Sequence, residues 1–359
     1  MRTIESPVLL AGALRRLLTW LVCACVALGA CTNPGATPSV SAGSQSTPAI
    51  EPATQVLPSW QDGAARTAIL RFIADVTREG SASYVPPEGR IAVFDNDGTL
   101  WSEQPVPFQL LFMIDQVKAA APQHPKWQRD PAFQALLAHD TTALAQNRKA
   151  LLQLLAVANS GMSADEYDRS IRDWLATAKH PTLQRRYTEL VYQPQLELLA
   201  LLRANGFKTW IVSGGTAEFM RVWVQEAYGI PPEQVVGTEE KLAYEVHDGK
   251  PVLMRKPGFA FVDDGPGKPV GIFRAIGRRP ILAFGNSDGD REMLEYTATG
   301  PGETLALIVH HDDAEHEFAY DRQSQLARLD KAWDEAVARG WVVVSMKQDW
   351  KTVYSAPKP

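Results

Sequence analysis

Cysteine is nearly absent from this chain: 359 residues hold three, at positions 23, 25 and 31, and none follows. No disulfide can therefore staple the chain beyond Cys31, and roughly 300 residues bury enough surface to fold without one. A marked excess of one charge is lacking too, since 36 Lys and Arg face 41 Asp and Glu for a net of −5. That balance argues against the basic footprint of a nucleic-acid-binding protein. The apolar run near the N-terminus, Leu17 to Ala30, has 14 residues, short of the ~20 that span a bilayer. With 45% hydrophobic and 21% charged residues, the chain has a globular composition and the length of two domains.

What is present at the N-terminus fits an export signal. Arg15-Arg16 form a basic region before the apolar run, and Leu28-Gly29-Ala30-Cys31 closes it. This tetrapeptide resembles a bacterial lipobox, in which small residues admit the signal peptidase and the Cys thiol takes a diacylglyceryl group. The resemblance implies that residues 1–30 are a lipoprotein signal peptide and that Cys31 becomes the acylated first residue. It also implies a place at the bacterial cell envelope, facing the periplasm or the extracellular side, with membrane contact through lipid alone. Thr32 in place of an aspartate resembles outer-membrane sorting in Gram-negative bacteria. Residues 1–30 contain three arginines and one glutamate, so the remainder carries 33 basic and 40 acidic residues, a net of −7. Residues 31–57 are mainly Ser, Thr, Pro, Gly and Ala, a composition that cannot bury a core. They read as a disordered tether, whose 26 residues after Cys31 would span roughly 30 Å as a flexible coil.

From Pro58 the patterning changes. Ala64 to Val76 carries Ile69, Leu70, Ile73 and Val76 at helical spacing. Ile91–Phe94, Thr209–Val212, Ile281–Phe284 and Leu305–Val309 are short, wholly apolar runs, the mark of strands buried on both faces of a parallel sheet. Helical patterns alternate with them, which predicts an α/β fold with helices on both sides and its chemistry beyond the strands' carboxyl ends. Between residues 105 and 191 no strand is evident, and helices are expected over Phe108–Ala119, Asp130–Leu137, Lys149–Val157 and Ala164–Leu175. Asp248-Gly249 between two β-prone segments predicts a short hairpin flap over Leu242–Met254. A helix over Leu326–Arg339 and a strand over Trp341–Ser345 are expected to complete the sheet.

The first strand delivers Asp95-Asn96-Asp97-Gly98-Thr99. Side chains at i and i+2 of an extended segment share a face, so two carboxylates converge, and Gly98 lets the chain turn at once. This segment resembles the first motif of the haloacid dehalogenase (HAD) superfamily, most of whose members are Mg2+-dependent phosphatases. Ser213-Gly214-Gly215-Thr216, before a helical pattern over Ala217–Ala227, resembles the second motif. Lys268, in Gly265-Pro266-Gly267-Lys268-Pro269, resembles the third-motif lysine, with Lys256 as rival; it precedes the next strand by one helix, as in the phosphoserine-phosphatase-like branch. Gly285-Asn286-Ser287-Asp288-Gly289-Asp290 resembles the acidic fourth motif, with Asn286 where an aspartate usually binds metal and Asp288 as an extra candidate.

The resemblance implies a doubly wound, Rossmann-like core over 58–104 and 192–359, with a helical cap over 105–191 inserted after the first strand. It implies attack by Asp95 on a phosphomonoester, protonation of the leaving group by Asp97, and phosphate binding by Ser213, Gly214 and Lys268. Mg2+ would be held by Asp95, the Asp97 carbonyl and Asn286 or Asp290, with Thr99 orienting Asp97. Trp101 and Glu103 could face the leaving group or simply pack. The partner expected is a small-molecule phosphomonoester, turned over by a monomer that binds no nucleic acid. Two other functions remain open at this stage: dehalogenation through the same aspartate, and a lipoprotein that binds phosphorylated ligands without turnover.

Such a substrate is a dianion approached by a carboxylate, and at an effective dielectric of 20 each pair of unit charges ~4 Å apart costs about 4 kcal/mol. Cations and fixed donors must gather at the strand ends to offset that repulsion. His310-His311-Asp312-Asp313 follows the last of the four strands, and alternation lets at most one of its histidines face the site.

Overall fold

The computed structural model describes residues 56–138 and 161–355. The leader, nearly all of the tether and the helix expected over Lys149–Val157 lie outside them.

Seven strands form one sheet: β1 (Ile91–Phe94), β2 (Lys208–Thr216), β3 (Val235–His247), β4 (Lys250–Phe261), β5 (Leu282–Gly285), β6 (Leu305–His310) and β7 (Val342–Ser345). Their order is β4-β3-β2-β1-β5-β6-β7, parallel throughout except for the antiparallel β3–β4 pair. The apolar runs are strands because both sheet faces are covered. In β1, Ala92 and Phe94 join one apolar cluster while Ile91 and Val93 join the other. The same alternation sends Leu282 and Phe284 of β5 one way and Ala283 the other. The order reverses at β1, whose neighbours β2 and β5 lie on opposite sides, so the crevice of this doubly wound α/β sheet opens at the carboxyl end of β1.

Helix Ala64–Thr77 buries Ile69, Phe72, Ile73 and Val76 against the larger cluster. Between β1 and β2 the described chain is helical at Phe108–Ala120, Pro131–Leu137 and Ala164–Thr177. The second of these is capped by Asp130, whose carboxylate accepts the Ala132 and Phe133 amides, and the third by a Ser163–Glu166 capping box. Phe112, Phe133, Leu136, Tyr167 and Ile171 of these helices belong to the same cluster as Phe94 and Phe284. Insert and sheet therefore share one apolar core.

Three elements differ from expectation. The helix expected over Ala217–Ala227 is two short ones, Ala217–Arg221 and Val224–Tyr228; at the break Trp223 is turned inward and stacks on Trp101 at 4.0 Å. The flap over 242–254 is the outer part of a longer hairpin, because β3 begins inside the parallel sheet beside β2. Its turn has φ of 52° at Asp248 and 73° at Gly249, the left-handed pair that two-residue hairpins demand. The C-terminal helix starts at Lys331, not 326, since Asp288 accepts the Asp330 and Ala332 amides and so anchors its first turn.

Candidate active site

Asp95 continues β1, its amide donating to the Phe284 carbonyl of β5 at 2.9 Å. Lys268, in the first turn of helix Gly267–Ile276, is buried, and its Nζ donates to Asp95 Oδ1 (2.7 Å), Asp290 Oδ1 (2.5 Å) and the Val212 carbonyl (3.0 Å). One cation thus ties together the ends of β1, β2 and β5, through residues far apart in sequence. The rival Lys256 lies on the hairpin, paired with Glu245.

Asp97 is half-buried, and its Oδ1 accepts from the Trp101 indole N–H (2.5 Å) and the Asn96 amide (3.1 Å). Gly98, at φ +74°, folds the chain back so that its amide meets the Trp101 carbonyl. Ser213 Oγ accepts the Gly215 amide, while Thr216 is held from the insert by Gln109, which donates to its hydroxyl (2.6 Å) and accepts its amide (2.9 Å). Asp290 Oδ2 accepts the amides of Asn286 (2.9 Å) and Ser287 (3.0 Å). These groups open onto a cavity of about 440 Å³ lined by Asp95, Asp97, Glu103, Ser213, Gly214, Lys268 and Asp290. Leu110 and Met113 of the insert and Phe259 and Val262 near the end of the hairpin close its far side. A larger cleft of about 610 Å³ runs beside Tyr167 and Arg255 but contains none of these acids.

Charge dominates this cavity. Burial, with repulsion from Asp290, pushes the Asp95 carboxyl well up despite Lys268. Burial also raises Asp97, against the Trp101 hydrogen bond, and raises Glu103 strongly, with Asp97 and Asp95 adding repulsion. Lys268 is held firmly protonated: burial opposes its charge, but Asp290 and Asp95 outweigh it. Five acids, Asp95, Asp97, Glu103, Asp264 and Asp290, against the one ammonium of Lys268 leave an acid excess that suits a divalent cation. Among the described residues no three His, Cys, Asp or Glu side chains form a ready metal cluster. The oxygen-only donors around Asp95 nevertheless fit Mg2+, which binds through one or two carboxylates and keeps much of its water.

Several residues fall elsewhere than expected. Thr99 does not orient Asp97; its hydroxyl donates to Asn286 Oδ1 at 3.2 Å, and Trp101 holds Asp97 instead. Trp101 is wholly buried, not turned to a leaving group. Asn286 is also buried outside the cavity lining, its amide nitrogen donating to Glu103 Oε1 at 2.6 Å. Asp288 caps the C-terminal helix. The residues that sequence reasoning missed are Gln109 and His311, whose Nε2 meets the Gly98 carbonyl at 2.8 Å while Nδ1 faces Glu317 at 3.3 Å. A glutamine in a helix carries no signal of such a contact; the strand-end position of His311 was a partial one.

A doubly wound sheet with a paired-aspartate turn, a lysine and an acidic loop at its switch point defines a class of α/β hydrolase. The chain belongs to the haloacid dehalogenase-like hydrolase family, whose model matches residues 92–295. No curated protein matches it. Among solved structures, a protein of unknown function from Anaerococcus prevotii is similar at 15% identity, over 81% of this chain and 96% of that one, with a TM-score of 0.49. One from Bordetella pertussis matches at 15% identity, over 71% and 97%, with a TM-score of 0.45. A phosphoserine phosphohydrolase-like protein from Francisella tularensis matches at 16% identity, over 69% and 98%, with a TM-score of 0.36.

Proposed function

We propose that this protein is a Mg2+-dependent phosphatase that hydrolyses a small-molecule phosphomonoester through an aspartyl phosphate on Asp95. The observation that carries the reading is the buried Lys268 ammonium, 2.7 Å from Asp95 at the floor of the cavity that Ser213 also lines. An Asp95 oxygen attacks phosphorus and the ester P–O bond breaks on the opposite side. Asp97, protonated, gives its proton to the departing alkoxide; as the carboxylate it then takes a proton from water, which displaces phosphate from Asp95. Asp97 keeps Oδ2 clear of the Trp101 and Asn96 bonds for this work. Lys268, the Ser213 hydroxyl and the Gly214 amide receive the phosphoryl oxygens. Mg2+, held by the Asp95 carboxylate and the Asp97 carbonyl, would add the positive charge that lets anionic nucleophile and dianionic substrate meet.

Residues 105–191 act in this reading as a cap that selects the leaving group, with Leu110 and Met113 against it. The chain is exported and anchored through an acylated Cys31, with its tether holding the enzyme away from the envelope membrane. Chelation is expected to abolish p-nitrophenyl phosphate hydrolysis and added Mg2+ to restore it. Asp95→Asn should lose at least about a thousandfold in rate with an unchanged circular dichroism spectrum. Full activity in that variant would falsify the mechanism.

A further inference from the structure

We infer that Glu103 supplies the metal-facing carboxylate that Asn286 lacks, an inference that rests on the metal-dependent reading above. The acidic motif carries a neutral amide at its first acid position, and that amide does not reach the cavity. Its Oδ1 is taken by the Thr99 hydroxyl, and its nitrogen points at Glu103 Oε1, 2.6 Å away. Glu103 stands between Asn286 and the cavity that it lines with Asp95 and Asp97.

Among the described residues its carboxylate is set by neutral donors alone. The Asn286 amide and the Tyr320 hydroxyl (2.7 Å) both fall on Oε1, which orients the group and leaves Oε2 outside that pairing. Glu103 is 5% exposed, and among the described ion pairs none includes it. A buried carboxylate with no cation is costly, and here four further acids, Asp95, Asp97, Asp264 and Asp290, line the same cavity. The packing preserves this placement. A Cβ on Gly98 would stand 2.1 Å from both Asn286 Nδ2 and Glu103 Oε1, so the bare glycine of the first motif is what admits the pair beside the Asp97–Gly98 backbone. A role in packing alone would be served by glutamine, which keeps the acceptor oxygen for Tyr320 and Asn286. The negative charge is what a hard divalent cation would require.

The test uses Mn2+ as a spectroscopic stand-in, its binding followed by electron paramagnetic resonance on the whole protein, with thermal melts to confirm folding. Glu103→Gln is expected to weaken Mn2+ binding tenfold or more. Parent-like Mn2+ binding by a folded Glu103→Gln protein overturns the inference while leaving the phosphatase reading intact. A parent protein that binds no divalent ion yet hydrolyses phosphomonoesters overturns both.

Discussion

Asp263 is a buried acid whose two carboxylate oxygens have no hydrogen-bond partner among the described residues, packed so closely that a Cβ on Gly271 would sit 2.2 Å from one of them. Burial pushes its pKa to about 7, with the Lys268 charge working against the rise. The folded state therefore holds its proton to higher pH than the unfolded chain. Stability is lost as pH climbs from about 4 to about 7 and is flat above that range. Asp263→Asn is expected to stabilise the protein by roughly 2–4 kcal/mol at pH 8 and hardly at all near pH 4. Denaturant titrations at the two pH values check this, and a gain independent of pH would refute the assignment. In sequence, Asp263-Asp264-Gly265 resembles any polar turn. Trp101 was equally opaque: an indole reads as packing, and only the chain reversal at Gly98 brings its N–H to Asp97.

Among the elements, the segment after β6 does more than join strand to helix. His311 and Tyr320 stack at 4.2 Å, the first reaching the Gly98 carbonyl and the second Glu103, while Glu317 gathers Ser102, Tyr192 and His311. The turn that carries Asp97 is thus braced from a loop more than 200 residues later. His311→Ala would remove the ring that links the buried Gly98 carbonyl to the buried Glu317 carboxylate. It should cost about 1–3 kcal/mol, read as a lower melting temperature, together with slower turnover. An unchanged melting temperature would count against this bracing. The strands themselves were legible because burial on two faces demands unbroken apolar runs. The divided helix at Trp223 was not, since its stacking partner Trp101 lies in another part of the sequence.

Across the whole molecule, the paired apolar clusters on either side of the sheet place the acids at one switch point, and the described helices of the insert join the larger of the two clusters. Among the described residues no helix is long and apolar enough to cross a membrane. In the proposed reading attachment is through the acylated Cys31. Cys31→Ser is expected to move the protein from the membrane to the soluble fraction of fractionated cells with its specific activity unchanged; a variant that stays with the membrane would exclude the lipid anchor.

By itself the sequence determined the alternation of strand and helix, the strands that deliver Asp95 and Ser213, the helix start that carries Lys268, and the family those motifs announce. Periodicity and short-range turn chemistry are local properties, so they survive in one dimension. Which neighbours those residues meet was settled in three dimensions. Lys268 bridges two acids, Trp101 holds Asp97, and Glu103 stands before Asn286 because close packing and the demand that buried polar groups find partners act between segments remote in the chain.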